Sequence, residues 1–141
     1  FIIKGGTPLK GTIAISGSKN AALPVIAGAL LADSPVTIHN IPRLQDIYTF
    51  NNVLRVVGAK VDFKEQENTV EIDPTHVSYL EAPYDLVRKM RASFYMLGAL
   101  VGKHGYAKVS LPGGCAWGPR PVDLHLKGME AMGIKITLDK Y

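Results

Sequence analysis

The sequence predicts an α/β fold made of two copies of one helix–strand–helix–strand unit, with a first helix enclosed by its neighbours. Three observations lead there. Gly28-Ala29-Leu30-Leu31 is echoed by Gly98-Ala99-Leu100-Val101, and the run Leu54 to Val61 is echoed by Met129 to Ile136, each echo coming 70 to 75 residues after its first copy. The segment Asn20 to Ala32 is apolar almost all round, the pattern of a helix buried on every side. Leu44, Ile47, Leu54 and Val57 recur at helical spacing, so the segment after it carries a single apolar stripe.

The elements follow in order. Gly11 to Ile15 reads as a strand leading into the apolar helix, and Val36-Thr37-Ile38-His39 as the strand after it. Pro42 precedes the striped helix, which Gly58 ends. Val61 and Phe63, then Val70 and Ile72, suit a hairpin turning at Glu65-Gln66-Glu67-Asn68. Pro83 opens a long helix running to Val101, with Leu86, Met90, Phe94 and Leu97 as its buried stripe. Ala107 to Leu111 forms the second unit's strand, and Pro121 takes the favoured first position of the next helix. Gly133 ends that helix, and the second unit then lacks its last strand. That ending, and Phe1 in place of an initiating methionine, predict a part of a longer chain.

Composition narrows the function classes. The chain has 141 residues, 47% apolar and 20% charged, which suits a soluble packed domain. No apolar run approaches the roughly 18 residues of a membrane helix. Net charge is +4 from scattered residues, with no block of five like charges to suggest a nucleic-acid tail. A mild positive excess suits an anionic small molecule. The single cysteine, Cys115, forms no internal disulfide and no cysteine metal cluster, which fits a reducing, cytoplasmic setting. His39, His76, His104 and His125 show no metal-ligand spacing.

Three segments could carry chemistry. Ser16-Gly17-Ser18-Lys19-Asn20 opens the apolar helix. Free N–H groups at a helix start, with a lysine beside them, make an anion site, although the G-x-x-x-x-G-K spacing of a nucleotide loop is absent. The same residues also read as a Ser or Asn cap with a solvated lysine. Leu111 to Arg120 holds three glycines and two prolines around Cys115. A cation and a helix start nearby would lower a thiol's pKa, so Cys115 reads as a reactive thiol on a flap or as an incidental surface cysteine. Arg88 and Arg91 share a helix face, which suits a phosphate or carboxylate, or a solvated basic surface.

Together these segments resemble the enolpyruvyl transferases that act on UDP-N-acetylglucosamine. The similarity lies in Gly-Ser-Lys-Asn-Ala-Ala-Leu-Pro (17–24), Ala-Pro-Tyr-Asp-Leu-Val (82–87), Met-Arg-Ala-Ser (90–93), Leu-Pro-Gly-Gly-Cys (111–115) and Arg-Pro-Val-Asp-Leu-His (120–125). It implies an inside-out α/β barrel of βαβαββ units, helices inside and strands outside, here incomplete. Residues 1–18 would be an arm completing a second domain, and 19–141 about two of the first domain's three units.

The resemblance also implies residue roles. Lys19, Asn20 and Arg120 would bind phosphoenolpyruvate. Arg91, Arg120, Pro121, Val122, Asp123 and Leu124 would bind the UDP-sugar. Cys115 would be the flap cysteine, which adds to phosphoenolpyruvate and is the target of fosfomycin. Ala116-Trp117 departs from the small or aliphatic residues common there. The implied reaction transfers the enolpyruvyl group to the sugar 3′-hydroxyl and releases phosphate, the first committed step of peptidoglycan synthesis. It needs no metal or organic cofactor, no nucleic acid and no membrane. A transferase acting on shikimate 3-phosphate shares the fold, but Cys115 and Arg120 to Asp123 favour the nucleotide sugar. A truncated, non-catalytic UDP-sugar-binding relative is the alternative from another class. The 141-residue chain alone is expected to be inactive, because the active site lies between two domains.

Overall fold

The computed structural model of the protein describes residues 1–82, 94–111 and 121–138. Helix α1 (Lys19–Gly28) continues into a single 3₁₀ turn, Ala29–Leu31. Ala22, Leu23, Ile26, Ala27 and Leu30 are buried, a stripe at intervals of three and four residues. Val25 and Leu31 are about half exposed, at 53% and 50%. The expected burial on every side is therefore not observed. Helices α2 (Gln45–Val56) and α3 (Tyr95–His104) pack on α1, and its remaining face carries Ala21, Pro24, Val25 and Gly28 in contact with solvent.

Helix α2 supplies the largest share of the core. Ile47, Phe50, Val53 and Leu54 are fully buried, and Val57 follows directly after the helix. Leu44 leaves the predicted stripe, because it stands at the cap position in an extended conformation and is 43% exposed. Gly58 ends the helix with φ +107, and a Cβ there would lie 2.6 Å from the carbonyl oxygen of His76, so only glycine fits. Arg55 in the last turn donates to the Val61 carbonyl at 2.8 and 3.2 Å and fastens the helix end to the strand that follows.

That strand, β2 (Lys60–Lys64), forms the predicted hairpin with β3 (Thr69–Asp73). The turn is a 3₁₀ segment, Glu65–Glu67, closed by Asn68 in the left-handed region at φ 48. β1 (Val36–Ile38) pairs with the other edge of β3, so the antiparallel order is β1-β3-β2. Val36 and Val61 both stand opposite Ile72, and Ile38 and Phe63 opposite Val70. These alternate residues share one face, which packs on the helical core. Lys64 and Glu71 pair on the other face.

The second unit is shorter in regular structure. β4 (Glu81–Ala82) runs parallel to β5 (Lys108–Val109), which realises only two residues of the predicted strand 107–111. Helix α3 passes the predicted end at Val101 and stops at His104, where Gly105 at φ 73 donates to the Val101 carbonyl. The rest of the predicted long helix, with Leu86, Met90 and Arg91, lies outside the described residues. Lys103 ties α3 back to the first unit. It donates to the Leu31 carbonyl at 3.2 Å and pairs with Asp33, and its hydrogen bond and charge hold the Asp33 carboxyl below its usual pKa.

Two other predicted elements differ. Gly11 to Ile15 is not a strand: residues 1–18 contain no regular element, and Ile13 and Ile15 are 83% and 85% exposed. A strand needs a neighbour for its N–H and C=O groups, and among the described residues none lies beside this segment. Helix α4 (Asp123–Ala131) begins two residues beyond Pro121, because Val122 at φ −122 and ψ 6 is outside the helical region. Ile134 to Leu138, the echo of β2, forms no ladder. In the first unit β3 lies between β1 and β2. Between their counterparts, β5 and residues 134–138, there is instead a cavity of about 1,010 Å³, lined by Val109, Leu111, Ile134, Ile136 and Leu138.

One core residue breaks the apolar pattern. Asn51 on α2 is 1% exposed, and among the described residues neither its Oδ1 nor its Nδ2 has a hydrogen-bond partner. A buried polar atom without a partner costs about 1–3 kcal/mol. Asn51→Leu keeps the branching of the side chain and removes both polar atoms. Its expected effect is a gain of about 1 kcal/mol, read as a higher thermal unfolding midpoint. A lower midpoint would mean that the site is too tight for the larger methyl groups.

Candidate functional site

The segment Ser16 to Asn20 reaches α1 by crossing the connection between β1 and α2. Gly17 makes this crossing possible: a Cβ built on it would lie 1.7 Å from the Asn40 carbonyl oxygen and 3.2 Å from Pro42 Cδ. The surface it crosses is firmly set. Asn40 and Asn68 are the two non-glycine residues with positive φ among the described residues, at 60 and 48. The Ile41 N–H donates to the Asn68 carbonyl at 2.7 Å, and Arg43 Nε donates to Asn68 Oδ1 at 3.1 Å. A recess of about 360 Å³ lies along this crossing, between Ser16, Gly17, Asn40, Pro42, Arg43 and Asn68.

Ser18 stands at the cap position of α1 in an extended conformation. Its carbonyl accepts the first helical bond, from Ala22 N–H at 2.9 Å, while its hydroxyl makes no capping bond. Lys19 and Asn20 are then the first two helical residues, where N–H groups have no partner within the helix. Pro24 has no N–H to give the carbonyl of Asn20, so the first turn is less tied to the helix body than usual. Lys19 Nζ lies 2.7 Å from Asp46 Oδ2, in the first turn of α2, with the two side chains 42% and 43% exposed. The lysine is thus held at one point and open to solvent.

Pro121, Val122, Asp123 and Leu124 lie at the start of α4. Val122 is buried, Pro121 and Asp123 are exposed, and Leu124 is 75% exposed. His125 meets Phe94 edge to face, with ring centroids 5.7 Å apart. Both segments therefore open helices that pack against α3 or the turn leading into it. Arg91, Cys115 and Arg120 lie outside the described residues. Nothing in the sequence marks Asp46 or the recess residues Asn40, Arg43 and Asn68. They are distant in the chain from Lys19, and only the packing of the 16–18 crossing on the segment before α2 brings them near. Among the described residues, no three of His, Cys, Asp and Glu are grouped to hold a metal ion, and no helix is long and apolar enough to cross a membrane.

Known proteins with this sequence and shape place the chain in context. It is 55% identical over 140 residues to a UDP-N-acetylglucosamine 1-carboxyvinyltransferase of Chloroherpeton thalassium, and 54% identical over 139 residues to one of Halothermothrix orenii. Each match takes in 99% of this chain but only 32% and 33% of the relative, so the chain spans about a third of their length. Among solved structures, the enolpyruvyl transferase NikO from Streptomyces tendae superposes with a TM-score of 0.79 at 29% identity, over 96% of this chain and 29% of that one. The inside-out α/β architecture is thus present here as an incomplete domain. With the model for EPSP synthase (3-phosphoshikimate 1-carboxyvinyltransferase) matching residues 3–141, the chain belongs to that family of carboxyvinyl transferases.

Proposed function

We propose that the full-length protein transfers the enolpyruvyl group of phosphoenolpyruvate to the 3′-hydroxyl of UDP-N-acetylglucosamine and releases phosphate. The observation that carries this reading is the 55% identity, over 99% of the chain, to a relative named for that activity. The geometry of the described part is in keeping with it, since an exposed lysine stands where a helix start favours an anion.

In this reading Lys19, Asn20 and Arg120 hold phosphoenolpyruvate. Arg91, Arg120 and Pro121 to Leu124 hold the sugar nucleotide. C3 of the enol gains a proton while the 3′-hydroxyl attacks C2 and gives up its own proton to a base; the tetrahedral ketal then expels phosphate and loses a proton from C3, which restores the double bond. The Cys115 thiol either supplies the proton, a role for which a pKa near the working pH is best, or aids product release. Lys19 and Arg120 offset the charge that grows on the leaving phosphate. Residues 1–18 serve as an arm to the second domain and 19–141 as about two of three units of the first. The exposed Phe1, Ile2 and Ile3 suit such an arm. The protein would work in the cytoplasm at the first committed step of peptidoglycan synthesis, on which cell shape and division depend.

The test is phosphate release by the full-length gene product with UDP-N-acetylglucosamine or shikimate 3-phosphate as acceptor. Release with the sugar nucleotide alone is expected, together with a fosfomycin adduct at Cys115 in the intact mass that forms faster when the sugar nucleotide is present. Release with shikimate 3-phosphate alone, or folded protein with no adduct, would overturn the assignment.

A further inference from the structure

We propose that Asp46 is a positioning residue of the transfer reaction, holding the Lys19 ammonium where it meets the phosphate of phosphoenolpyruvate; this rests on the reading of the site given above. Lys19 has a long flexible stem and three N–H donors around a point charge. Left to itself it would sample many rotamers at the mouth of the site. The Asp46 carboxylate, 2.7 Å away, takes one donor and leaves two for an incoming anion.

Asp46 stands on the firmer backbone of the two, and the lysine loop is seated against it. Asp46 is in the first turn of α2, whose Ile47 and Phe50 are fully buried. Lys19 follows the Gly17 crossing, which rests directly on Asn40, so the lysine loop and the approach to α2 are registered to each other. The pair is too exposed, at 42% and 43%, to matter much for stability. Its consequence is orientation. Arg43, the cation that lines the recess, is engaged with Asn68 Oδ1, and α2 offers Lys19 no second acid in its first turn.

The carboxylate also opposes the phosphate it helps to receive. Asp46→Asn removes that repulsion and loosens the lysine, so its two effects have opposite signs. In the full-length gene product, kcat is expected to fall about tenfold, because a loosely held group stabilises the transition state poorly. KM for phosphoenolpyruvate is expected to fall about threefold, because one negative charge near the phosphate is gone. Asp46→Glu restores the charge and should return KM to the parent value with part of kcat.

A merely structural role would not lower KM. The proposal is overturned if Asp46→Asn leaves kcat and KM within about twofold of the parent. It is also overturned if kcat falls only in proportion to the loss of folded protein, with KM unchanged. A parent protein that releases no phosphate with either acceptor overturns the functional reading itself, and this proposal with it.

Discussion

Lys19→Ala in the full-length gene product is expected to lower kcat/KM for phosphoenolpyruvate about a hundred- to a thousandfold, the usual effect of removing one charged or hydrogen-bonding group from a site where negative charge develops. The loss should be divided between kcat and KM if, as proposed, the ammonium attracts the phosphate on arrival and stabilises it on departure. It contrasts with Asp46→Asn, for which KM moves the other way. Stability should hardly change, since the Lys19–Asp46 pair is exposed and such pairs contribute about 0–1 kcal/mol. Steady-state kinetics with a thermal melt of the same sample checks both halves. A variant with kcat/KM within about threefold of the parent would remove Lys19 from the reaction.

Gly17→Ala should show how far the crossing sets the site. The added methyl would stand 1.7 Å from the Asn40 carbonyl oxygen, so one of the two segments must move. Asn40 is held by its neighbours, with Ile41 bonded to Asn68 and Val36 to Ile38 paired in the sheet. Residues 1–16 have no regular structure, and Ile13 and Ile15 are largely exposed. The Gly17 side therefore gives way, carrying Ser18 and Lys19 with it. Overpacking of this kind costs about 1–3 kcal/mol when the clash can relax. A displacement of about 1 Å at a catalytic group is enough for a hundredfold loss of rate. The expected result is a modest fall in the unfolding midpoint and a drop of about a hundredfold in kcat/KM. Unchanged kinetics would show that the crossing is not what fixes the lysine.

The first unit was legible because its signals are local. The stripe Ile47, Leu54 and Val57 and the alternation of Val61, Phe63, Val70 and Ile72 reflect burial within one helix and one hairpin. The misread segments are those whose state depends on a neighbour. Ile13 and Ile15 alternate as a strand does, yet no strand lies beside them among the described residues. α1 has the composition of an enclosed helix and is covered on one side. Lys19 and Asn20 could be placed at a helix start from the sequence because that pattern is local. Asp46 could not be placed beside Lys19, since nothing in the spacing of residues 19 and 46 announces an ion pair.

The strand order β1-β3-β2 also bears on the time course of assembly. The β2–β3 hairpin closes over a short turn and can form early, whereas β1 must wait for Ile72, which follows α2 and β2 in the chain. During translation, α1 leaves the ribosome well before the sheet whose connection supports its lysine loop. Its Ala22, Leu23 and Ile26 stay in water through that interval, and newly made protein is then most open to chaperone capture or aggregation.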